Sequence, residues 1–102
     1  MNSILQQKRA ELEHICQKHG VKRIELFGSG AGLNFDAARS DLDFLVTFQD
    51  LAFNQYADAY FGLLEDLQSL FGRPVDLVVA SAIQNPYFRQ SVDASRTLVY
   101  AA

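Results

Sequence analysis

Ser40-Asp41-Leu42-Asp43-Phe44-Leu45-Val46 sets two acids, spaced Asp-x-Asp, at the entrance of an apolar run that continues to Phe48. A short run rich in branched and aromatic residues predicts a buried strand. Side chains two apart on a strand share a face, so Asp41 and Asp43 are expected on one side of a sheet. At a separation of about 4 Å their repulsion is roughly 1 kcal/mol in water and about 4 kcal/mol at an effective dielectric near 20. Such a pair favours a retained proton or a bound cation. A hard divalent cation such as Mg2+ suits oxygen donors and keeps positions open for phosphate oxygens. By itself Asp-x-Asp is a weak signal, because most such pairs are solvated strand or turn ends.

Upstream, Val21 to Phe27 reads as another strand, running into the turn Gly28-Ser29-Gly30. Gly28 and Ser29 offer backbone N–H groups and a hydroxyl where phosphate oxygens could sit, although a lone Gly-Ser is otherwise only a turn. Before that strand, Ser3 and Gln6 stand in capping-box spacing, and Leu5, Leu12, Ile15, Cys16 and His19 form a stripe that predicts a helix from about Ile4 to His19. Downstream, Tyr56, Tyr60, Leu63, Leu64, Leu67, Leu70 and Phe71 recur at spacings of three and four, predicting a helix over Leu51 to Phe71 closed by Gly72 and Pro74. Val75 to Ala80 reads as a strand, Pro86 to Ala94 as a helix with proline in its first turn, and Thr97 to Tyr100 as a terminal strand. Asp76 is a lone acid in the apolar Val75 strand. If that strand pairs beside the Leu42 strand, Asp76 closes a triad of carboxylates; otherwise it is an exposed edge acid or a partner for Arg73.

Strands separated by helices within 102 residues leave room for one domain, residues 1–102, and argue for an α/β or α+β fold: a small mixed or parallel sheet flanked by helices. The apolar fraction of 49% suits a globular chain, and no apolar run approaches the roughly 20 residues needed to cross a bilayer. Neither a membrane role nor a secretory signal is expected, and a cytoplasmic location is the default. A net charge of −3 without a basic block argues against long nucleic acid as a partner. A nucleotide remains compatible, because a metal ion can bring the positive charge. The lone Cys16 has no disulfide partner, and His14 and His19, five apart, project from different helix faces and fit no zinc pattern. Tyr56, Tyr60, Phe61, Tyr87 and Phe88 are expected mainly in the core, with an exposed patch for a partner or for a homo-oligomer as the other reading.

Three segments taken in order carry a resemblance: Leu26-Phe27-Gly28-Ser29, then Ser40-Asp41-Leu42-Asp43-Phe44-Leu45-Val46, then Gly72-Arg73-Pro74-Val75-Asp76-Leu77-Val78. Together they resemble the minimal nucleotidyltransferases, the antitoxin-type members of the DNA polymerase β superfamily, with Asn85-Pro86-Tyr87-Phe88 similar to the tail of these proteins. The resemblance implies a palm-like nucleotidyltransferase fold. It implies that Gly28 and Ser29 hold the triphosphate of ATP, that Asp41, Asp43 and Asp76 form a catalytic two-metal Mg2+ site, and that Asp76 assists deprotonation of an acceptor hydroxyl. The reaction implied is transfer of AMP to a hydroxyl of a protein partner, a helical toxin of the HEPN class. One departure stands out: the family loop reads Gly-Ser-x-Ala-Arg-Gly, whereas this chain reads Gly28-Ser29-Gly30-Ala31-Gly32-Leu33. The arginine is absent from its place, and Arg39 is either a substitute or a solvated loop charge. The alternative function is therefore a catalytically inactive relative that binds and masks the HEPN-type partner.

Overall fold

The computed structural model describes residues 7–27 and 42–102, with every side chain in them except that of Phe53. Along the described chain come helix α1 (Arg9–Lys18), strands β1 (Val21–Phe27) and β2 (Leu42–Phe48), and helix α2 (Phe53–Phe71). Strand β3 (Val75–Val79), a 3-10 turn at Ala80–Ala82, helix α3 (Pro86–Ser95) and strand β4 (Thr97–Ala101) follow. The strands form one sheet in the order β3-β2-β1-β4. β1 pairs antiparallel with both β2 and β4, while β2 and β3, joined through α2, pair parallel. This is the α/β arrangement with a mixed sheet that the spacing of the elements predicts.

The period of two along each strand divides the apolar residues between two faces. Ile24 and Leu26 of β1, Leu42, Phe44 and Val46 of β2, and Val75 and Leu77 of β3 enter one core with Leu12 and Cys16 of α1 and Leu63, Leu67 and Phe71 of α2. Phe27 and Leu45, from the alternate positions, join Val92 of α3 in a smaller cluster. Helices α1 and α2 therefore cover one face, and α3 covers part of the other. Fully burying a Leu or Phe side chain contributes roughly 1.5–3 kcal/mol, so the larger cluster dominates the stability.

Element ends follow local chemistry. α1 gives way to β1 through Gly20, whose φ of 69° is in the left-handed region and whose missing side chain leaves room for Leu51, 3.0 Å from where a Cβ would stand. Leu51 is thus a core contact ahead of the helix rather than its first residue. Ala52 is extended; its N–H donates to Gln55 Oε1 at 3.3 Å and its carbonyl accepts from the Gln55 N–H at 2.9 Å, so α2 begins at Phe53. Its other end is closed by Gly72 at φ 64°, whose N–H donates to the Gln68 carbonyl at 2.8 Å. Ala80, expected at the end of β3, instead opens the 3-10 turn. α3 starts with Pro86 behind Asn85, whose Oδ1 accepts from the N–H groups of Tyr87 and Phe88 at 2.9 and 3.3 Å. The capping pair Ser3 and Gln6, and Leu5 of the predicted stripe, lie outside the described residues.

Candidate active site

Leu42 and Phe44 turn into the main core, so Asp43 between them takes the opposite face of β2. Asp76 sits in the same way between Val75 and Leu77 on β3. The parallel register sets Asp43 directly beside Asp76, on strands about 4.8 Å apart. On its other side Asp43 pairs with Phe27, the last residue of β1. A row Phe27-Asp43-Asp76 thus crosses three strands on the face that α3 only partly covers. With Tyr60, Leu64 and Phe88 these residues line a cleft of about 360 Å3. Asp43 is half-buried and Asp76 is exposed.

The condition attached to Asp76 in the sequence is therefore met: β3 lies beside β2, and two of the three expected carboxylates come together. Asp41, Gly28 and Ser29, and the loop with Arg39, lie outside the described residues. In the chain Asp41 directly precedes β2, and Gly28-Ser29 directly follows Phe27. Among the described residues no three His, Cys, Asp or Glu side chains gather as a ligand set. Two carboxylates on neighbouring strands, facing an open cleft, are nevertheless hard oxygen donors of the kind Mg2+ takes, and they fit part of such a site.

Sequence periodicity places Tyr60 in the core stripe of α2, and its role at the cleft goes unseen that way. Its hydroxyl donates to the Leu77 carbonyl at 2.6 Å, next to Asp76 along β3. A tyrosine where phenylalanine would fill the same space was the available signal, since a buried phenol seeks a partner. The other aromatics divide. Tyr56 packs edge-on to Phe48 with centroids 5.1 Å apart, and Phe88 meets Phe27 in the same manner at 6.1 Å. Phe61 and Tyr87 stand largely in solvent. Glu25 also escapes a sequence reading: it is a buried acid on β1, held by Arg23 and Arg96, each at 3.5 Å, and it ties the end of α3 to the sheet.

His14, Cys16 and His19 have different surroundings. His14 is exposed, and Cys16 is buried, with its thiol pushed up to about 12 by burial and secondarily by Glu13. His19 reaches across to α2 and meets Asp66 at 2.6 Å, with Lys18 Nζ on the same carboxylate oxygen at 3.4 Å. The hydrogen bond from His19 is the main cause holding the Asp66 carboxyl below its ordinary range. No helix among the described residues is long and apolar enough to cross a membrane.

Known proteins are similar to this chain in sequence and fold. A protein of Methanocaldococcus jannaschii, named as a candidate protein adenylyltransferase, is 33% identical over 92 residues, which cover 82% of this chain and 90% of that protein. A solved structure of a candidate minimal nucleotidyltransferase is 30% identical with a TM-score of 0.62, over 91% of this chain and 93% of the other. The complex of a tri-AMPylated Shewanella oneidensis HEPN toxin with an MNT antitoxin matches in fold, with a TM-score of 0.65 at 21% identity over 96% of this chain and 73% of the matched one. The family model described as the nucleotidyltransferase domain spans residues 9–99, taking in all three strands of the carboxylate row, and the chain accordingly belongs to the nucleotidyltransferase domain family.

Proposed function

We propose that this nucleotidyltransferase transfers AMP from ATP to a hydroxyl of a protein partner of the HEPN class, and that Asp41, Asp43 and Asp76 carry the reaction with Gly28 and Ser29 holding the triphosphate. The observation that carries the reading is the in-register pairing of Asp43 with Asp76 on parallel strands, both facing one cleft. The M. jannaschii relative, named for protein adenylylation, supports AMP as the group moved. The AMPylated toxin in the complex of similar fold supports a helical protein as acceptor.

In this reading the acceptor oxygen attacks the α-phosphorus of ATP. A new O–P bond forms, the bond from the α-phosphorus to the bridging oxygen breaks, and pyrophosphate leaves with that electron pair. Asp76, the exposed member of the pair, faces the open side and takes the hydroxyl proton. Asp43, half-buried between Phe27 and Asp76, holds the metal-binding end of the cleft. Two Mg2+ ions bound by the three carboxylates would neutralise charge on the attacking and leaving oxygens. The protein's own contribution is position and fixed charge rather than a covalent intermediate.

The test is incubation of the purified chain with ATP labelled at the α-phosphate, Mg2+ and a HEPN-class partner, beside Asp43→Asn and Asp76→Asn. Label should pass to the partner with the native chain and fall at least about a hundredfold with either variant. Full transfer by Asp43→Asn would remove the proposed site. The glycine at position 32, where the family loop carries arginine, favours a second reading in which the chain masks its partner without transfer. Tight partner binding with no label transferred by the native chain would select it.

A further inference from the structure

β3 is an edge strand, five residues long, with β2 on one side only. In such a strand alternate residues turn their N–H and C=O groups outward, and a short unsupported edge frays readily. Here one outward group on each side of Asp76 is taken by a side chain of α2. Gln68 Oε1 accepts from the Val75 N–H at 3.4 Å, and the Tyr60 hydroxyl donates to the Leu77 carbonyl at 2.6 Å. Tyr60, Leu64 and Gln68 are spaced four apart, so one stripe of α2 runs along the strand and grips it before and after the acid.

We infer that Tyr60, seconded by Gln68, is a positioning residue for Asp76: it clamps the backbone that holds this carboxylate level with Asp43. This rests on the metal-site reading given above. Tyr60 need not touch substrate or metal to act. It fixes the peptide next to Asp76, as outer-shell partners fix ligands elsewhere, and loss of such a partner typically costs 10- to 100-fold in metal affinity or activity. Because the clamp grips the main chain and not the carboxylate itself, an effect at or below the smaller end of that range applies. Tyr60→Phe deletes one oxygen and keeps the ring that packs edge-on to Phe61, with centroids 5.2 Å apart.

The experiment titrates Mg2+ against ATP binding in four proteins: the native chain, Tyr60→Phe, Asp76→Asn and the double variant. Amide hydrogen exchange of residues 75–79 is followed in the native chain and Tyr60→Phe. Tyr60→Phe is expected to raise the Mg2+ concentration at half-saturation about three- to tenfold and to speed exchange at Asp76 and Val78, whose N–H groups face β2. In the Asp76→Asn background the same substitution should change the Mg2+ midpoint by less than about twofold, since the group it positions is gone. A Tyr60→Phe midpoint equal to that of the native chain, or an effect of the same size in both backgrounds, would overturn the inference. If Asp76→Asn itself leaves the Mg2+ dependence unchanged, the metal-site reading fails first, and the clamp has nothing to position.

Discussion

Gly62 lies in the middle of α2, where helix propensity alone favours alanine by about 0.8–1.0 kcal/mol. The structure argues the opposite outcome for Gly62→Ala. An added Cβ would stand 2.6 Å from Cε1 of His19, closer than a Cβ can remain, and 3.0 Å from its Nδ1. The imidazole would have to swing out, and with it goes the 2.6 Å bond to Asp66, one turn along the same helix. A hydrogen bond involving a charged group is worth about 1.5–3 kcal/mol net. With the Asp66 side chain 31% exposed, the lower end applies, and the loss of ring packing between α1 and α2 adds to it. Set against the propensity gain, the balance is a destabilisation on the order of 1 kcal/mol, or a melting temperature lower by about 4–8 °C for a domain of this size. Thermal melts at pH 7 of the native chain, Gly62→Ala, His19→Ala and the pair together measure it. In the His19→Ala background the alanine at 62 should stabilise, because only the propensity term is left. A higher melting temperature for Gly62→Ala in the native background would refute the argument that the glycine is there to admit the histidine.

The Asp66 carboxyl sits below its ordinary range in the folded chain, so between roughly pH 4 and the folded value the unfolded chain binds more protons. Stability from this group is complete above about pH 4 and lost as the pH falls further; melting against pH should show a shallower acid slope for Asp66→Asn than for the native chain. Cys16, with its thiol raised to about 12, should react with iodoacetamide at pH 8 on the order of a thousandfold more slowly in the folded chain than in denaturant, as read by mass spectrometry. Asn85→Ala removes the cap of α3 and should cost about 1 kcal/mol by chemical denaturation. Because Phe88 follows that cap and lines the cleft, the same variant should weaken ATP binding more than it alters the rate at saturation.

The two strands that carry most of the argument were legible to the residue, Val21–Phe27 and Leu42–Phe48, because glycines or polar residues bound each apolar run. The start of α2 was not: Leu51 fits the apolar stripe but owes its burial to the space beside Gly20, a contact 31 positions away in the sequence that no local pattern contains. For the candidate site, the acids could be found but not placed together. Whether Asp76 meets Asp43 depends on β3 pairing with β2, which is a property of topology, and the sheet order supplies it. Tyr60 reads from its spacing as a core residue and is half-buried in the fold, and its hydroxyl goes unread, because periodicity reports where a ring lies and is silent on where its hydroxyl points. Glu25 was invisible for a related reason: Arg96, one of its two partners, comes from the far end of the chain.

The pairing of Asp43 with Asp76 has a consequence for how this protein can lose its activity. Sliding β3 by one position along β2 would turn Val75 and Leu77 out to solvent and drive Asp76 into the apolar layer. Burying a lone carboxylate there costs several kcal/mol, a large part of what holds a domain this small together. Misaligned chains would be removed as unfolded protein before they could accumulate as folded but idle ones. Replacing Asp43 or Asp76 in place can therefore silence the site with the fold kept, whereas a shift of register cannot.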